Sequence, residues 1–350
     1  MKLNGVRSIL IIKLSALGDV VHTLPALEVL KNNYPKARID WLVEEEAFPI
    51  VEGHRSLDQI IVSKRKKWVR GLAKRGGQGR VLRDVKVFLS QLRSRKYDLV
   101  IDFQGLLKSG LLVWLTKGVH KVGMTGSREA SRLFLNHKAI QVSYNQHAIE
   151  RYLQICSSLG CEDMRWEGKI PYKKEHAEAV RKVLYEKGYD GSPIIVISPM
   201  ARWQTKLWRK EAFGELADKI QILLGYTVVF TGSSDDQSYI DDILGSMKSR
   251  ALSTAGCIGL KELSCLFEMA EAAVTTDTGP MHIAAAMGCP VVALFGPTDP
   301  KRTGPYGLSH KIIRSGIQCS PCFRKQCSDP RCMSQIKTEE VFKSLKEILK

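Results

Sequence analysis

Val274-Thr275-Thr276-Asp277-Thr278-Gly279-Pro280-Met281-His282 runs on through Ala284-Ala285-Ala286-Met287-Gly288-Cys289-Pro290-Val291-Val292-Ala293-Leu294-Phe295 to Gly296-Pro297-Thr298-Asp299. The apolar lead-in, Ala272 to Val274, predicts a buried strand, and a polar turn follows it. Met281 to Met287 is small, apolar and helix-forming, with Gly288 placed to end the helix. Cys289 to Phe295 predicts a second buried strand, so the stretch is a β-turn-α-β unit of an open parallel sheet. Thr278 is placed to cap the helix, and Gly279 lets a ligand come close to the backbone. Free N–H groups at such a helix start attract phosphate. The turn by itself is equally an ordinary capped turn. The crowding of Asp277, Thr278 and His282 at one strand end, with a second polar turn after the next strand, favours a ligand site.

The same alternation extends outward in both directions. Toward the N-terminus lie helix 260–269, strand 227–231 with the cap Gly232 to Asp236, helix 211–224, the polar loop 201–208, strand 194–197 and helix 176–187. Cys161 to Tyr172 lacks periodicity and reads as a linker. Before it the pattern starts with strand Ser8 to Ile12, the loop Lys13 to Asp19, and one helix carrying Val20, Leu24, Leu27 and Leu30 on a face that Pro25 kinks or begins. Strands at 39–43, 59–62, 98–102 and 119–123 follow, with helices 85–93, 106–115 and 148–159. A last helix, 338–350, turns Val341, Phe342, Leu345 and Leu349 inward. The expectation is α/β, with two doubly wound Rossmann-like domains, 1–168 and 169–350, facing a central cleft between strand C-terminal ends.

Composition sets limits. A chain of 350 residues suits two cores better than one. Hydrophobic content of 44% and charged content of 25% are those of an ordinary globular protein, and no apolar run spans a bilayer. The opening lacks a signal-peptide pattern. Nine cysteines at irregular spacing suit a reducing compartment. A formal net charge of +17 calls for an acidic partner. Much of it lies in Ser63 to Lys86, where ten lysines and arginines face the single acid Asp84. Gly76, Gly77 and Gly79 predict a flexible middle for that segment, a mobile loop hanging over the cleft mouth.

Individual residues divide between chemistry and plain structure. Asp19, one residue after Gly18 in the first strand-to-helix loop, is placed as a general base or as a stabilising charge at a helix start. Lys206, among Arg202, Thr205 and Trp208, is a phosphate contact or a solvated loop lysine. His282 follows Thr278 by one helical turn, as a site residue or a buried core histidine. Cys319, Cys322, Cys327 and Cys332, spaced C-x2-C-x4-C-x4-C, read equally as a zinc or iron–sulfur site and as reduced thiols in a compact loop. No dinucleotide fingerprint, P-loop, zinc-protease helix or hydrolase elbow is present.

Four motifs in order resemble the ADP-heptose:lipopolysaccharide heptosyltransferases of glycosyltransferase family 9. They are Lys13-Leu14-Ser15-Ala16-Leu17-Gly18-Asp19-Val20-Val21-His22-Thr23-Leu24-Pro25-Ala26, Asp102-Phe103-Gln104-Gly105-Leu106-Leu107-Lys108-Ser109, the Lys206 loop, and Asp277 through Pro300. The resemblance implies a GT-B fold and an inverting transfer with no cofactor and no metal ion. It implies Asp19 as catalytic base, Lys206 and Thr205 on the donor phosphates, and Asp277, Thr278, Gly279 and His282 at the heptose and diphosphate. Lys64, Arg65, Lys108 and Arg128 resemble the acceptor-side cations of the heptosyltransferase I branch. The partners implied are ADP-heptose and an anionic Kdo-bearing lipid A. The enzyme implied is a monomer in the cytoplasm, peripheral on the inner face of the inner membrane. The four-cysteine loop is more at home in heptosyltransferase II and broader members, which leaves transfer of heptose to heptose as the alternative. A nucleic-acid-binding protein with a four-cysteine module is the remote rival, but Trp68 is the lone aromatic of Lys64 to Lys86 and offers little stacking surface.

Overall fold

The computed structural model describes residues 3, 5–74, 76–126 and 129–350, and divides into two compact units, Met1–Pro171 and Tyr172–Lys350. The first is built on a five-stranded parallel sheet of β1 (Ser8–Ile12), β2 (Arg38–Glu44), β3 (Gln59–Ser63), β4 (Lys96–Asp102) and β5 (Lys117–Gly123), in the order β3-β2-β1-β4-β5. Continuous apolar runs such as Ile9 to Ile12 are buried on both faces, as parallel strands beneath helices require. The chain winds outward from β1 to β3, then returns to β4 on β1's other side, where Ile12 pairs with Asp102. The loops after β1 and β4 therefore leave the sheet side by side, at the switch point where open α/β sheets bind ligands.

The second unit repeats the plan with six parallel strands: β6 (Ile194–Ser198), β7 (Thr227–Phe230), β8 (Leu252–Ser253), β9 (Ala272–Thr276), β10 (Val291–Leu294) and β11 (Lys311–Ile313). Their order is β11-β10-β9-β6-β7-β8, and the switch point lies between β6 and β9, where Ser198 pairs with Thr275. Helix Thr338–Ile348 turns Val341, Phe342 and Leu345 into this core, as its spacing predicts. Strand β8 went unread in the sequence because two residues make no apolar run. Among the described residues, no helix is long and apolar enough to cross a membrane.

Two local expectations need correction. The single helix from Val20 to Leu30 is two helices, Leu17–Val21 and Leu24–Asn33. The Thr23 hydroxyl donates to the Asp19 carbonyl (2.8 Å), and Pro25, lacking an N–H, sits harmlessly in the second helix's first turn. The basic stretch is no mobile loop. It forms helices Arg65–Leu72 and Gln78–Arg93, and the glycines make the turn between them tight. A Cβ on Gly71 would meet Val81 Cγ2 at 2.6 Å, and one on Gly77 would run into the Gly71 carbonyl. Helix Arg65–Leu72 nevertheless buries none of its side chains, whereas helix Leu24–Asn33 buries Leu24, Leu27 and Leu30. At about 1.5–3 kcal/mol for each such side chain, this difference puts helix Arg65–Leu72 at the low-stability end of the unit, while helix Gln78–Arg93 is held by buried Val81, Phe88 and Leu92.

Candidate active site

In the second unit, four strand ends build one site. The Thr276 hydroxyl at the end of β9 donates to the Met200 carbonyl (2.8 Å), tying it to the loop after β6. The next residue, Asp277, is buried and accepts from two directions. Lys206 Nζ reaches its Oδ2 at 2.5 Å and its carbonyl at 3.1 Å, and the Thr298 hydroxyl, from the turn after β10, reaches Oδ2 at 2.5 Å. Lys206 also lies 4.7 Å from the centre of the Trp203 ring, and Lys325 lies 5.4 Å from the same ring. Asp277 thus fixes a lysine that would otherwise sweep a wide volume on its four-carbon stem.

Helix Gly279–Ala286 starts at once after this clamp. Thr278 holds the cap position, but its hydroxyl donates back to the Thr276 carbonyl (3.5 Å) and makes no capping bond, contrary to the sequence expectation. The N–H groups of Gly279 and Met281 are therefore left to a ligand, and Pro280 has none to offer. His282 lies buried one turn along. Beside the helix start is a cavity of about 500 Å³, with Met200, Leu263 and Pro280 among its apolar walls and Arg202, Ser233 and Thr278 among its polar ones. That size and lining suit a flat heterocycle with a sugar attached.

Thr205 is placed differently from a phosphate contact. It is buried, and its hydroxyl donates to the Arg324 carbonyl (3.0 Å), so it ties down the four-cysteine loop. That loop is also fixed by Ser320 Oγ on the Gly296 carbonyl (2.6 Å) and by the Cys322 and Phe323 amides on the Pro297 carbonyl. Burial, then the neighbouring Cys322, Cys319 and Cys327 thiols, push the Cys332 thiol up. Among the described residues, no three His, Cys, Asp or Glu side chains gather as metal ligands, and the cysteines are free thiols. The loop packs as a buttress against the strands of this unit, with Cys332 buried, Cys322 half-buried and Cys319 and Cys327 exposed.

The first unit carries the other predicted residues. Asp19 is partly exposed in helix Leu17–Val21, and its Oδ2 accepts from the Ala16 amide (3.3 Å). Lys13 Nζ stands 4.0 Å behind it, buried, donating to the Phe103 carbonyl (3.0 Å) and the Tyr152 hydroxyl (2.7 Å). Burial works against the charge on Lys13, but the Asp19 carboxylate, the Tyr152 hydroxyl and the Asp102 carboxylate together more than offset it and hold the lysine's pKa above its ordinary value. The turn after β4 is organised by buried Asp102, which accepts from the Gln104 and Gly105 amides and the Ser109 hydroxyl. Lys108 and Arg65 converge on one buried carboxylate: Lys108 Nζ and Arg65 Nε reach Glu44 Oε1 at 3.0 and 3.1 Å. Burial pushes the Glu44 carboxyl up, and those two cations overcome it and hold it below the usual range. Two cations on one carboxylate leave net positive charge there. Lys64 is exposed at the start of its helix, and Arg128 lies outside the described residues. Sequence reasoning missed Lys13, Glu44 and Thr298. The legible hint for Lys13 was a lysine directly after the apolar run Ile9 to Ile12.

Two Rossmann-like units, each on a parallel sheet, one with an uncapped helix start and a fixed lysine beside a nucleoside-sized cavity, make up the GT-B fold. The sequence model for glycosyltransferase family 9 (heptosyltransferase) matches residues 85–332. The chain is 32% identical to lipopolysaccharide heptosyltransferase 1 of Pseudomonas aeruginosa over 91% of its own length and 87% of that protein. It is 27% identical to lipopolysaccharide heptosyltransferase 3 of Escherichia coli K12 over 95% of each chain. Among solved structures it resembles a family 9 glycosyl transferase from Veillonella parvula (TM-score 0.84, 24% identity, covering 100% and 98% of the two chains). It also resembles E. coli heptosyltransferase WaaC with ADP (TM-score 0.76, 25% identity, 97% and 99%). The chain belongs to glycosyltransferase family 9, the heptosyltransferases, and it is an enzyme of that class.

Proposed function

We propose that this enzyme transfers L-glycero-D-manno-heptose from ADP-heptose to a Kdo residue of the lipopolysaccharide inner core, on an anionic lipid A acceptor at the inner face of the inner membrane. The observation that carries the donor half is the clamp of Lys206, Asp277 and Thr298 beside the uncapped start of helix Gly279–Ala286. ADP fits it: the base and ribose in the cavity, the diphosphate at the Gly279 and Met281 N–H groups and Lys206, the heptose toward Asp277 and His282. Asp19 takes a proton from the acceptor hydroxyl. That oxygen attacks the anomeric carbon while the bond to the diphosphate breaks on the opposite face, so the configuration inverts. The departing ADP gains negative charge, which Lys206 and the helix-start amides stabilise more strongly than they do the bound donor. The net positive charge at Lys108, Arg65 and Glu44, with Lys64 nearby, suits the anionic acceptor.

The likeness to a heptosyltransferase 3 over almost the whole chain supports a second reading, transfer of heptose onto heptose. Mass measurement of products separates the two. The expected result is one added heptose when ADP-heptose meets lipid A bearing Kdo alone. A product formed solely with an acceptor that already carries heptose would establish the second reading. On the working acceptor, Asp19→Asn should lower turnover by roughly two to four powers of ten while ADP affinity stays put. Near-normal turnover would remove Asp19 from the role of base.

A further inference from the structure

Beyond Lys64 and Arg65 at its base, the basic hairpin is left unused by the chemistry above. The Trp68 and Phe88 ring centres lie 5.1 Å apart and Gly71 abuts Val81, a pairing that runs helices Arg65–Leu72 and Gln78–Arg93 antiparallel. At the base of the hairpin the cations are matched by a row of acids: Arg65 with Glu44, Lys66 with Glu46 (2.7 Å) and Lys67 with Glu45 (2.8 Å). Toward the tip they are not. Arg70, Lys74, Arg80 and Arg83 are exposed and form no ion pair among the described residues. Between them the tip exposes aliphatic side chains: Val69 is 59% exposed, Leu72 48% and Leu82 67%. Val69 and Leu72 share a face at i, i+3 spacing, and Leu72 and Leu82 each follow directly on the Gly71–Val81 contact.

We propose that this tip is a membrane-docking element, which sets Val69, Leu72 and Leu82 into the acyl boundary of an anionic bilayer while Arg70, Lys74, Arg80 and Arg83 meet the lipid head groups. Leu72 and Leu82 directly follow the Gly71–Val81 contact and Arg70 and Arg80 directly precede it, so the tip has an aliphatic side and a cationic side, the composition of an element that lies in a membrane interface. A nucleic acid would leave the leucines without a function, and the hairpin's aromatic, Trp68, is turned inward on Phe88, where no base can stack. Each cation near an anionic lipid surface strengthens binding about fivefold. The pairing of the base with Glu44 to Glu46 anchors the hairpin to the sheet, so docking by the tip would hold the acceptor-side residues near the lipid. The proposal gives the membrane part of the functional reading a place in the fold. It is tested on lipid alone, so that it can fail while heptose transfer stands.

The full-length chain is sedimented with phosphatidylcholine vesicles with and without phosphatidylglycerol. Binding is expected to the phosphatidylglycerol vesicles and to weaken as salt rises. The pair Leu72→Gln and Leu82→Gln should weaken it on the order of tenfold with an unchanged circular dichroism spectrum, because both side chains are exposed. Replacing Arg70, Lys74, Arg80 and Arg83 by Gln should erase the preference for phosphatidylglycerol. In a Leu82→Trp variant, brominated lipid should quench the new indole in the anionic vesicles. Wild-type binding by the Leu72→Gln, Leu82→Gln protein, or an unquenched indole at 82, would overturn the proposal. So would tighter binding to random duplex DNA than to vesicles. Vesicle binding by a protein that transfers no heptose would uphold docking and remove the transfer reading instead.

Discussion

Lys206 reaches the proposed donor site with its charge already half answered. Asp277 holds it at 2.5 Å, so it is aimed before any ligand arrives, and the entropy of fixing a long side chain is spent in folding. Lys325 stands over the same indole but is exposed and held by that ring contact. The two lysines should therefore differ in effect. Lys206→Ala is expected to weaken ADP binding roughly ten- to a hundredfold, the worth of a charge-assisted hydrogen bond of about 1.5–3 kcal/mol. Lys325→Ala should weaken it a few-fold, within the range of an exposed cation. Calorimetric titration with ADP measures both, and equal losses would show that the Asp277 clamp confers nothing. The placement of Asp19, Lys206 and Asp277 in turns after strands was legible because each such turn follows an apolar run, while the roles proposed for them came from the resemblance to the family's motifs. Glu44, Thr298 and Lys325 were not. Each acquires its role from a partner far away in the chain, and no local pattern encodes that pairing.

Among the elements, the strands were the easiest to read, since burial on both faces leaves continuous apolar runs. Glycine was the least readable, because the same residue loosens a loop or permits close packing. At 71 and 77 it packs two helices, where a flexible loop was expected. At Gly296 it admits the four-cysteine loop: a Cβ there would lie 2.7 Å from Met333 Sδ and 3.0 Å from Cys332 Sγ. Met333 and Cys332 are buried, so Gly296→Ala has to push the loop outward, with an overpacking cost of about 1–3 kcal/mol. Thr205 hangs on that loop, and Thr298 lies two residues beyond Gly296. The variant should bind ADP more weakly and expose the Cys332 thiol to alkylation. In the wild-type protein Cys319 and Cys327 should label first and Cys332 last, following their exposure. Joint protection of all four would instead report a shared metal ion, and unchanged labelling in Gly296→Ala would deny the loop its role as a buttress.

On the scale of the whole molecule, two cores of similar size carry two different liabilities. Acid acts through carboxylates bonded inside the fold. Glu44 is held below its ordinary pKa by Lys108 and Arg65 against burial. Glu28 is held down by His54 and the Glu167 and Gly168 amides, again against burial. Ser249 and the amide of Lys248 overcome burial at Asp218 in the same way. A group of this kind stabilises the fold fully above its unfolded pKa, about 4, and loses that contribution as pH falls through its lower folded value. Asp102 runs the other way, since burial raises its pKa and protonation relieves it. The depressed groups outnumber it, so thermal stability should fall from about pH 5 toward pH 3, and Glu44→Gln should flatten that slope. An identical acid limb in the variant would exclude Glu44 as a source. In the proposed reading the donor acts on one unit alone, because the clamp, the cavity and the helix start all belong to Tyr172–Lys350. A ligand at about one hundred times its dissociation constant adds about 2.7 kcal/mol to whatever binds it. Hydrogen exchange with saturating ADP should therefore slow at 198–208, 231–236 and 276–298 and leave 13–19 and 102–108 unchanged. Equal protection of the Lys13 to Asp19 loop would mean that the first unit shares in holding the nucleotide, and that Asp19 meets the donor before any acceptor is bound.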